Sequence, residues 1–506
     1  MRDYLIIYVN GTRYEVRGSP AFQSLSNFLR YELGLTGTKV VCAEGDCGSC
    51  AVLLGRAGEA GMVYRPITSC IQFLYQLDAA HVITIEGLKY GGHLNPLQES
   101  FVRGQGAQCG FCTPGFIVTT CGMREANEPL NEQTLRAGLC GNLCRCTGYE
   151  SILKSAMEAP TDAMRRIDEL YPPHEMLPVL RTAARESVRI HSTSTGREFF
   201  KPTTPPAAAQ FKAANPMCTI VAGGTDIGVQ VNKGLRDPEI VMSLAGLSEL
   251  NGILVDESVI LAGALATLSD LERRAEEVCP EFGKMLWRHG SPLIRNAGTL
   301  AGNIANASPI GDSMPALFVL NALVELTGRS GTRQVNINDF YSGYRQTVMA
   351  ADELITLVII PLPRPGDDFR LYKISKRHDL DISTFTAAFW MRREDGVVAD
   401  LRIAYGGVGP VIYRLKKTEA ALLGKPFTES EIENVCEIAR SEISPISDVR
   451  GDAEYRNLLA ENILRKFYFD VVGVETYQRA TDPGRLVGAT PASPSSENSN
   501  GNGDGT

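Results

Sequence analysis

The sequence predicts a multidomain α+β protein, and three observations carry that expectation. Eight of the thirteen cysteines fall into two sets of four within the first 150 residues. The segment before the first set alternates like paired strands. From Phe200 onward, strand-like apolar runs alternate with helical periods. A chain of 506 residues has room for several cores. Its composition is ordinary for a globular protein, 44% hydrophobic and 21% charged, and its net charge of −8 weighs against nucleic acid or an anionic membrane as partner. The longest apolar candidate for a membrane span, Pro315 to Leu326, carries Asn321 and Glu325 and is too short. The apolar run Leu5 to Val9 is too short for a signal peptide, so a cytoplasmic location is expected.

The N-terminal unit is expected over residues 1–87. Tyr4 to Val9 and Thr12 to Val16 read as a hairpin, because Asn10-Gly11 suits a tight two-residue turn. A helix is expected from about Ser24 to Leu33. Cys42, Cys47 and Cys50 then follow as C-x4-C-x2-C, with Cys70 more distant. That is the plant-type spacing for a [2Fe–2S] cluster. Three thiolates converging from one short loop need a tightly curled backbone, which Gly45 and Gly48 permit. Hairpin, helix and cysteine loop together resemble the β-grasp fold of plant-type ferredoxins.

The second unit is expected over 88–160. It holds Cys109 and Cys112 as C-x2-C, then Cys144 and Cys146 as C-x-C after thirty-one residues. Helices are expected over Phe116 to Glu125, Glu132 to Leu139 and Ile152 to Met157. Residues two apart do not share a helix face, so Cys144 and Cys146 belong to a turn. Cysteine pairs at facing helix ends can grip one small cluster.

Three other uses of cysteine compete. A disulfide framework fits poorly with an odd number of cysteines and no secretory segment. Four-cysteine zinc sites usually combine two C-x2-4-C pairs, a pattern neither set has. Buried inert thiols are the expectation for Cys121, Cys140, Cys218, Cys279 and Cys436. Cys140 lies close enough to the second set to leave some ambiguity of ligand.

Residues 161–199 lack sustained periodicity and read as a connector. Two glycine-rich segments mark the unit expected over 200–366. In the first, the strand Thr219 to Ala222 enters Gly223-Gly224-Thr225-Asp226, with a helix from Ile227. A turn of that kind lets backbone N–H groups approach a pyrophosphate. It is not the G-x-G-x-x-G fingerprint, and a strand–helix turn without ligand is equally compatible. The second segment, Ile294 to Asp312, mixes small residues with Asn, Thr, Ser and Asp before a helix from about Met314. A surface loop capped by Asp312 or Ser313 is the plainer reading. A small α/β unit is expected over 367–477, with a buried strand at Arg402 to Val408. The remainder, 478–506, is rich in Pro, Ser, Asn and Gly and is expected to be a disordered tail.

The two cysteine sets, in this order, and the phrases QCGFCTPG and GNLCRCTGY resemble the molybdenum hydroxylase family over about residues 1 to 475. The resemblance implies a β-grasp [2Fe–2S] ferredoxin domain, a helical [2Fe–2S] domain, an α/β FAD-binding domain and a small C-terminal flavoprotein domain. It implies cluster ligation by Cys42, Cys47, Cys50 and Cys70, and by Cys109, Cys112, Cys144 and Cys146. It assigns Val221, Ala222, Gly223, Gly224, Thr225, Asp226, Ile227, Gly228, Thr299, Gly302, Asn303, Asp312 and Asp381 to FAD. Lys376 and Arg377 are expected near its phosphates, although a solvated charged turn also fits. Lys416 or Lys417 is a further candidate contact.

The chain departs from the family at two places. Ala301 replaces a common glycine. The position of an aromatic residue near the flavin holds His289, with Trp287 nearby. By the same resemblance Gln108 faces a pterin on another domain; an ordinary polar turn residue is the alternative. Nothing in the sequence resembles the molybdopterin-binding domains, so a separate large subunit carrying the molybdenum cofactor is the expected partner. Electrons would pass from molybdenum to the Cys109 set, the Cys42 set, FAD and then NAD⁺. The flavin converts single electrons into a hydride, so no catalytic acid or base is assigned to this chain.

Overall fold

The computed structural model describes residues 1–473; the tail expected over 478–506 lies outside them. Leu5–Val9 pairs antiparallel with Thr12–Val16, and Asn10 and Gly11 turn the chain at φ 48° and 81°. Both angles are positive, as this tight turn requires. Ala80–Ile83 adds parallel to Leu5–Val9, and Ala51–Ala57 and Met62–Thr68 complete a five-stranded mixed sheet. The expected helix starts on a Ser24 side-chain cap, but only Leu25–Asn27 is α-helical; Phe28–Glu32 widens into a π turn that buries Phe28 and Leu29.

The second domain contains the helices Pro96–Arg103, Thr113–Glu125, Glu132–Gly138 and Glu150–Met157. Phe116, Ile117 and Val118 share one core with Leu53 and Tyr64 of the sheet. The two cysteine-bearing domains are therefore packed as one body.

Residues 161–199 are more regular than the expected connector. They contain the helices Ile167–Leu170 and Met176–Ala184 and the strands Val188–His191 and Glu198–Lys201. Elements of four residues are too short for periodicity to reveal. The two strands open a four-stranded sheet completed by Ile240–Ser243 and Thr219–Val221. A buried charge cluster joins this sheet to the N-terminal domain. Asp78 receives Arg2 Nη2 at 2.8 Å and the Lys201 ammonium, and all three side chains are almost wholly buried.

An antiparallel five-stranded sheet follows, in the order Ile253–Val255, Val259–Gly263, Leu354–Pro361, Leu323–Gly328, Gly331–Asn336. The last domain is the antiparallel sheet Asp368–Ile374, Phe385–Glu394, Val397–Gly406 and Tyr413–Arg414, covered by Lys416–Leu422, Glu429–Ser441 and Ala453–Val472. No helix among the described residues is long and apolar enough to cross a membrane.

Candidate functional site

The first cysteine set sits on a loop between the π turn and strand Ala51–Ala57. Cys47, Cys50 and Cys70 are buried and Cys42 is half-buried. The thiols meet in pairs: Cys42 with Cys47 and with Cys70, and Cys50 with Cys70. Hydrogen bonds from the Cys47 and Cys70 thiols, and from the Glu44 backbone at 3.4 Å, hold Cys42 strongly toward its thiolate.

The second set is more open. Cys109 and Cys146 are exposed, with sulfurs 3.5 Å apart. Cys112, at the start of helix Thr113–Glu125, hydrogen-bonds Cys144 and is pushed up to about 12 by burial. Cys144 also meets Thr147 Oγ1 at 3.2 Å. Among the described residues no three His, Cys, Asp or Glu side chains converge on one ion position. Each set brings four sulfurs together, the first as a chain Cys47–Cys42–Cys70–Cys50 and the second as the pairs Cys109–Cys146 and Cys112–Cys144, the number a [2Fe–2S] cluster takes from the protein.

The loops that carry the two sets are in direct contact. Leu143 N–H donates to the Cys47 carbonyl at 3.0 Å, and Asn142 Nδ2 donates to the Gly48 carbonyl at 3.3 Å. Gly48 has φ +65°, and a Cβ there would overlap the Gly141 carbonyl oxygen. Only glycine permits this approach.

A cavity of about 390 Å³ lies between the two glycine-rich segments. It is lined by Ala222, Gly223, Gly224, Thr225, Asp226, Ile227, Thr299, Gly302 and Asn303. Helix Thr225–Asn232 starts there without a side-chain cap, its N-cap Gly224 at φ 69°. Its first N–H groups are therefore available to an anion such as a pyrophosphate. A Cβ on Gly223 would overlap the Ala297 carbonyl oxygen, so the two segments close on each other through bare backbone. Gln72 Nε2 fixes the turn from the ferredoxin side by donating to the Gly223 carbonyl at 2.9 Å.

Four residues assigned to FAD do not line this cavity. Val221 is buried in a core with Leu5 and Ile7. Gly228 faces away, where a Cβ would overlap the Ile71 carbonyl oxygen. Asp312 is occupied by Lys373 Nζ at 2.7 Å and Ser383 Oγ at 2.5 Å, and Asp381 by Arg377 at 2.6 Å. Lys376 reaches the Val449 carbonyl, and Lys416 lies nearest Glu419. Conversely, Gln230, Arg236, Ile294, Arg345 and Met349 do line the cavity. Ile294 opens the second glycine-rich segment; the other four carry no motif, and only folding brings them to the cavity. His289 also lines it, while Trp287 and Cys140 border a separate groove of about 1020 Å³. Gln108 is exposed beside Cys109.

Ile294 links the cavity to the first cysteine set, since it lines the one and packs on Cys50, Cys70 and Ile71 of the other. Helix Thr225–Asn232 spans the same distance. It begins at the glycine turn and ends where Asn232 Nδ2 donates to the Cys70 and Ala43 carbonyls, both at 2.9 Å.

Three family models match the chain. A [2Fe-2S] binding domain covers 84–157, the FAD binding domain in molybdopterin dehydrogenase covers 192–363, and the CO dehydrogenase flavoprotein C-terminal domain covers 370–471. Xanthine dehydrogenase 1 and 2 of Arabidopsis thaliana are 29% and 30% identical over 92% of this chain, and the xanthine dehydrogenase/oxidase of Gallus gallus is 27% identical over 93%. The chain spans only 39–40% of the length of these curated relatives. Among solved structures, a carbon monoxide dehydrogenase chain from Hydrogenophaga pseudoflava matches 53% of this chain and 94% of its own length, with TM-score 0.51 and 26% identity. Quinoline 2-oxidoreductase from Pseudomonas putida 86 matches 54% of this chain and 95% of its own length, with TM-score 0.50 and 25% identity. With an iron–sulfur domain and both flavoprotein domains in one order, the chain belongs to the molybdenum hydroxylase family.

Proposed function

We propose that this chain is the iron–sulfur/FAD subunit of a xanthine dehydrogenase. It relays electrons from a molybdenum centre on a large partner subunit, through two [2Fe–2S] clusters, to FAD and on to NAD⁺. The partner would hydroxylate hypoxanthine and xanthine to urate in purine catabolism.

The observation that carries this reading is the linear order of the sites. The loop carrying the more open thiol set is hydrogen-bonded to the loop of the buried one through Leu143 and Cys47, and the buried set adjoins the cavity through Ile294, with Gln72 bonded to the Gly223 carbonyl. Cys109, Cys112, Cys144 and Cys146 would hold the outer cluster, and Cys42, Cys47, Cys50 and Cys70 the inner one. The exposed surface beside Cys109 and Cys146 includes Phe111, 48% exposed, with Leu143 and Tyr149. An apolar surface around an open redox site suits a docking partner. The Gly223–Thr225 turn would bind the FAD pyrophosphate, and FAD supplies the conversion of single electrons to a hydride. The residues around it bind and orient; none is required as a catalytic acid or base for binding or relay.

Cofactor analysis tests the reading. The purified chain should carry about four iron, four acid-labile sulfide and one FAD, and NADH should reduce the flavin. Zinc without sulfide would sink it. The likeness to quinoline 2-oxidoreductase and carbon monoxide dehydrogenase favours a second reading, the same relay serving a different molybdenum hydroxylase. A copurified large subunit that oxidises an aldehyde or another N-heterocycle, but not xanthine, would select it.

A further inference from the structure

Three arms of the inner thiol set are tied to neighbouring backbone. The Cys50 carbonyl accepts from the Ser69 N–H at 3.2 Å and from the Ser69 hydroxyl at 2.7 Å, which joins the Cys50 and Cys70 arms. The Cys47 carbonyl accepts from Leu143. The Cys42 arm differs. Among the described residues, 40–46 make no backbone–backbone hydrogen bond with another part of the chain. Gly45 rests on Ile71 and Ile294, where a Cβ would overlap both side chains, but apolar packing is non-directional and does not orient a peptide group. Ala43 has φ 56°, a conformation that residues with a Cβ rarely adopt.

What holds that peptide comes from the flavin domain. Asn232 is the last residue of helix Thr225–Asn232. Its Nδ2 donates to the carbonyls of Ala43 and Cys70, both at 2.9 Å. A side-chain amide carries two N–H donors on one nitrogen, and here they go to two different arms of the thiol set. Lys233 pairs with Glu44 at 3.0 Å, but both side chains are more than a third exposed, and such a pair contributes little. The helix itself is fixed along its length. Gly228 is pressed on the Ile71 carbonyl, and Val229 packs on Cys50, Cys70 and Ile71.

The amide also has a polarity. Its Nδ2 faces the loop, so the positive end of its dipole is the end nearer the thiols. Reduction of a cluster adds negative charge, which a dipole in that orientation favours. Hydrogen bonding and solvent exposure set a cluster's potential, and groups outside the ligand shell orient the ligands.

We propose that Asn232 is a positioning residue of the inner cluster: it joins the Cys42 and Cys70 arms and raises the cluster's reduction potential. The flavin domain thus completes a redox site whose four ligands lie on the ferredoxin domain. This rests on the cluster reading above. Water in place of the amide would solvate each carbonyl singly and leave the two arms unjoined.

The test is a redox titration of the cofactor-loaded chain, followed by electron paramagnetic resonance, in wild type, Asn232→Leu and Asn232→Ala. The signal that Cys50→Ser removes marks the inner cluster. In both variants that cluster should become about tenfold harder to reduce, about 59 mV lower for a one-electron couple, the order of one hydrogen bond's net worth. The outer signal should keep its wild-type potential. Arg65→Gln separates positioning from domain docking, because Arg65 ties the same two domains through Asp270 at 2.6 Å, away from the thiols; it should leave the inner potential unchanged. Loss of the inner signal from an Asn232 variant that keeps the outer one would also support the proposal. A wild-type inner potential in either Asn232 variant, or an equal shift in Arg65→Gln, would overturn it. Absence of both clusters from the wild-type chain would instead overturn the cluster reading beneath it.

Discussion

The backbone N–H of Leu143 donates to the carbonyl of Cys47 across 3.0 Å. Leu143 adjoins Cys144, so a residue next to one thiol set is hydrogen-bonded to a member of the other. Gly48, one residue further on, is pressed against the Gly141 carbonyl and Asn142. Gly48→Ala adds a methyl to a filled contact at positive φ, so a loss of about 1–3 kcal/mol is expected. Thermal unfolding measures that loss. Stopped-flow reduction should also show slower passage between the clusters; an unchanged rate would mean that this contact is not the route.

The order of centres is tested by removing thiols one set at a time. Cys144→Ser should abolish one electron-paramagnetic cluster signal and stop reduction of the flavin by purine in the complex. Reduction of FAD by NADH should persist. Cys50→Ser should remove the other signal and equally leave direct NADH reduction intact. If Cys144→Ser in folded protein also blocks NADH, the proposed direction is wrong.

Gly223→Val should empty the flavin cavity while sparing the clusters. The new side chain would meet the Ala297 carbonyl and the Gly298 backbone, forcing the two glycine-rich segments apart. The expected result is loss of most bound FAD with normal iron and sulfide content. Flavin retained at wild-type occupancy would remove this turn from the binding site.

His81 gives the N-terminal domain a pH-dependent stability. It is buried between Tyr64, whose hydroxyl lies 2.8 Å from Nδ1, and the Gly11 N–H, which donates to Nε2 at 3.0 Å. A proton on Nε2 would face that N–H, and burial drives the His81 pKa down to about 4. The folded pKa is below the ordinary 6.5, so the unfolded state binds more protons between the two values. Stability is thus full above pH 6.5 and falls as pH drops toward 4, by on the order of 3 kcal/mol. Urea unfolding from pH 7 to 4.5 should show the slope, and His81→Phe should flatten it.

Asp78 ties Arg2 and Lys201 together beneath two domains. Burial alone would raise its pKa, but the two cations outweigh burial and hold it below the usual carboxylate range. Its contribution is therefore present above the ordinary carboxylate pKa of about 4 and lost at more acid pH. Asp78→Asn leaves two buried cations without a counter-charge and should cost about 3–5 kcal/mol. Chemical unfolding at pH 7 measures it; a cost below about 1 kcal/mol would show that water or rearrangement relieves the cations.

Much was legible in the sequence because it was local. The Asn10-Gly11 turn, the two cysteine spacings and the Gly223-Gly224 turn depend on backbone conformations that neighbouring residues dictate, so a short window suffices to read them. The four-residue strands at Val188–His191 and Glu198–Lys201 were not legible, since partner strands rather than their own periodicity define them. The same limit applied at the cavity. Asp312 and Asp381 carry the right chemistry in the right segments, yet Lys373 and Arg377, the second on its own loop, occupy them. Arg345 and Met349 carry no signal and line the cavity nonetheless.

The sequence alone determined the spacing of the two cysteine sets and the place of the glycine-rich turns, because both are properties of short stretches of chain. Their order in space was decided only by the tertiary structure. Contacts between residues far apart in the chain, such as Leu143 with Cys47 and Ile294 with the small core of Cys50, Cys70 and Ile71, come from packing of separate domains, which no local pattern encodes.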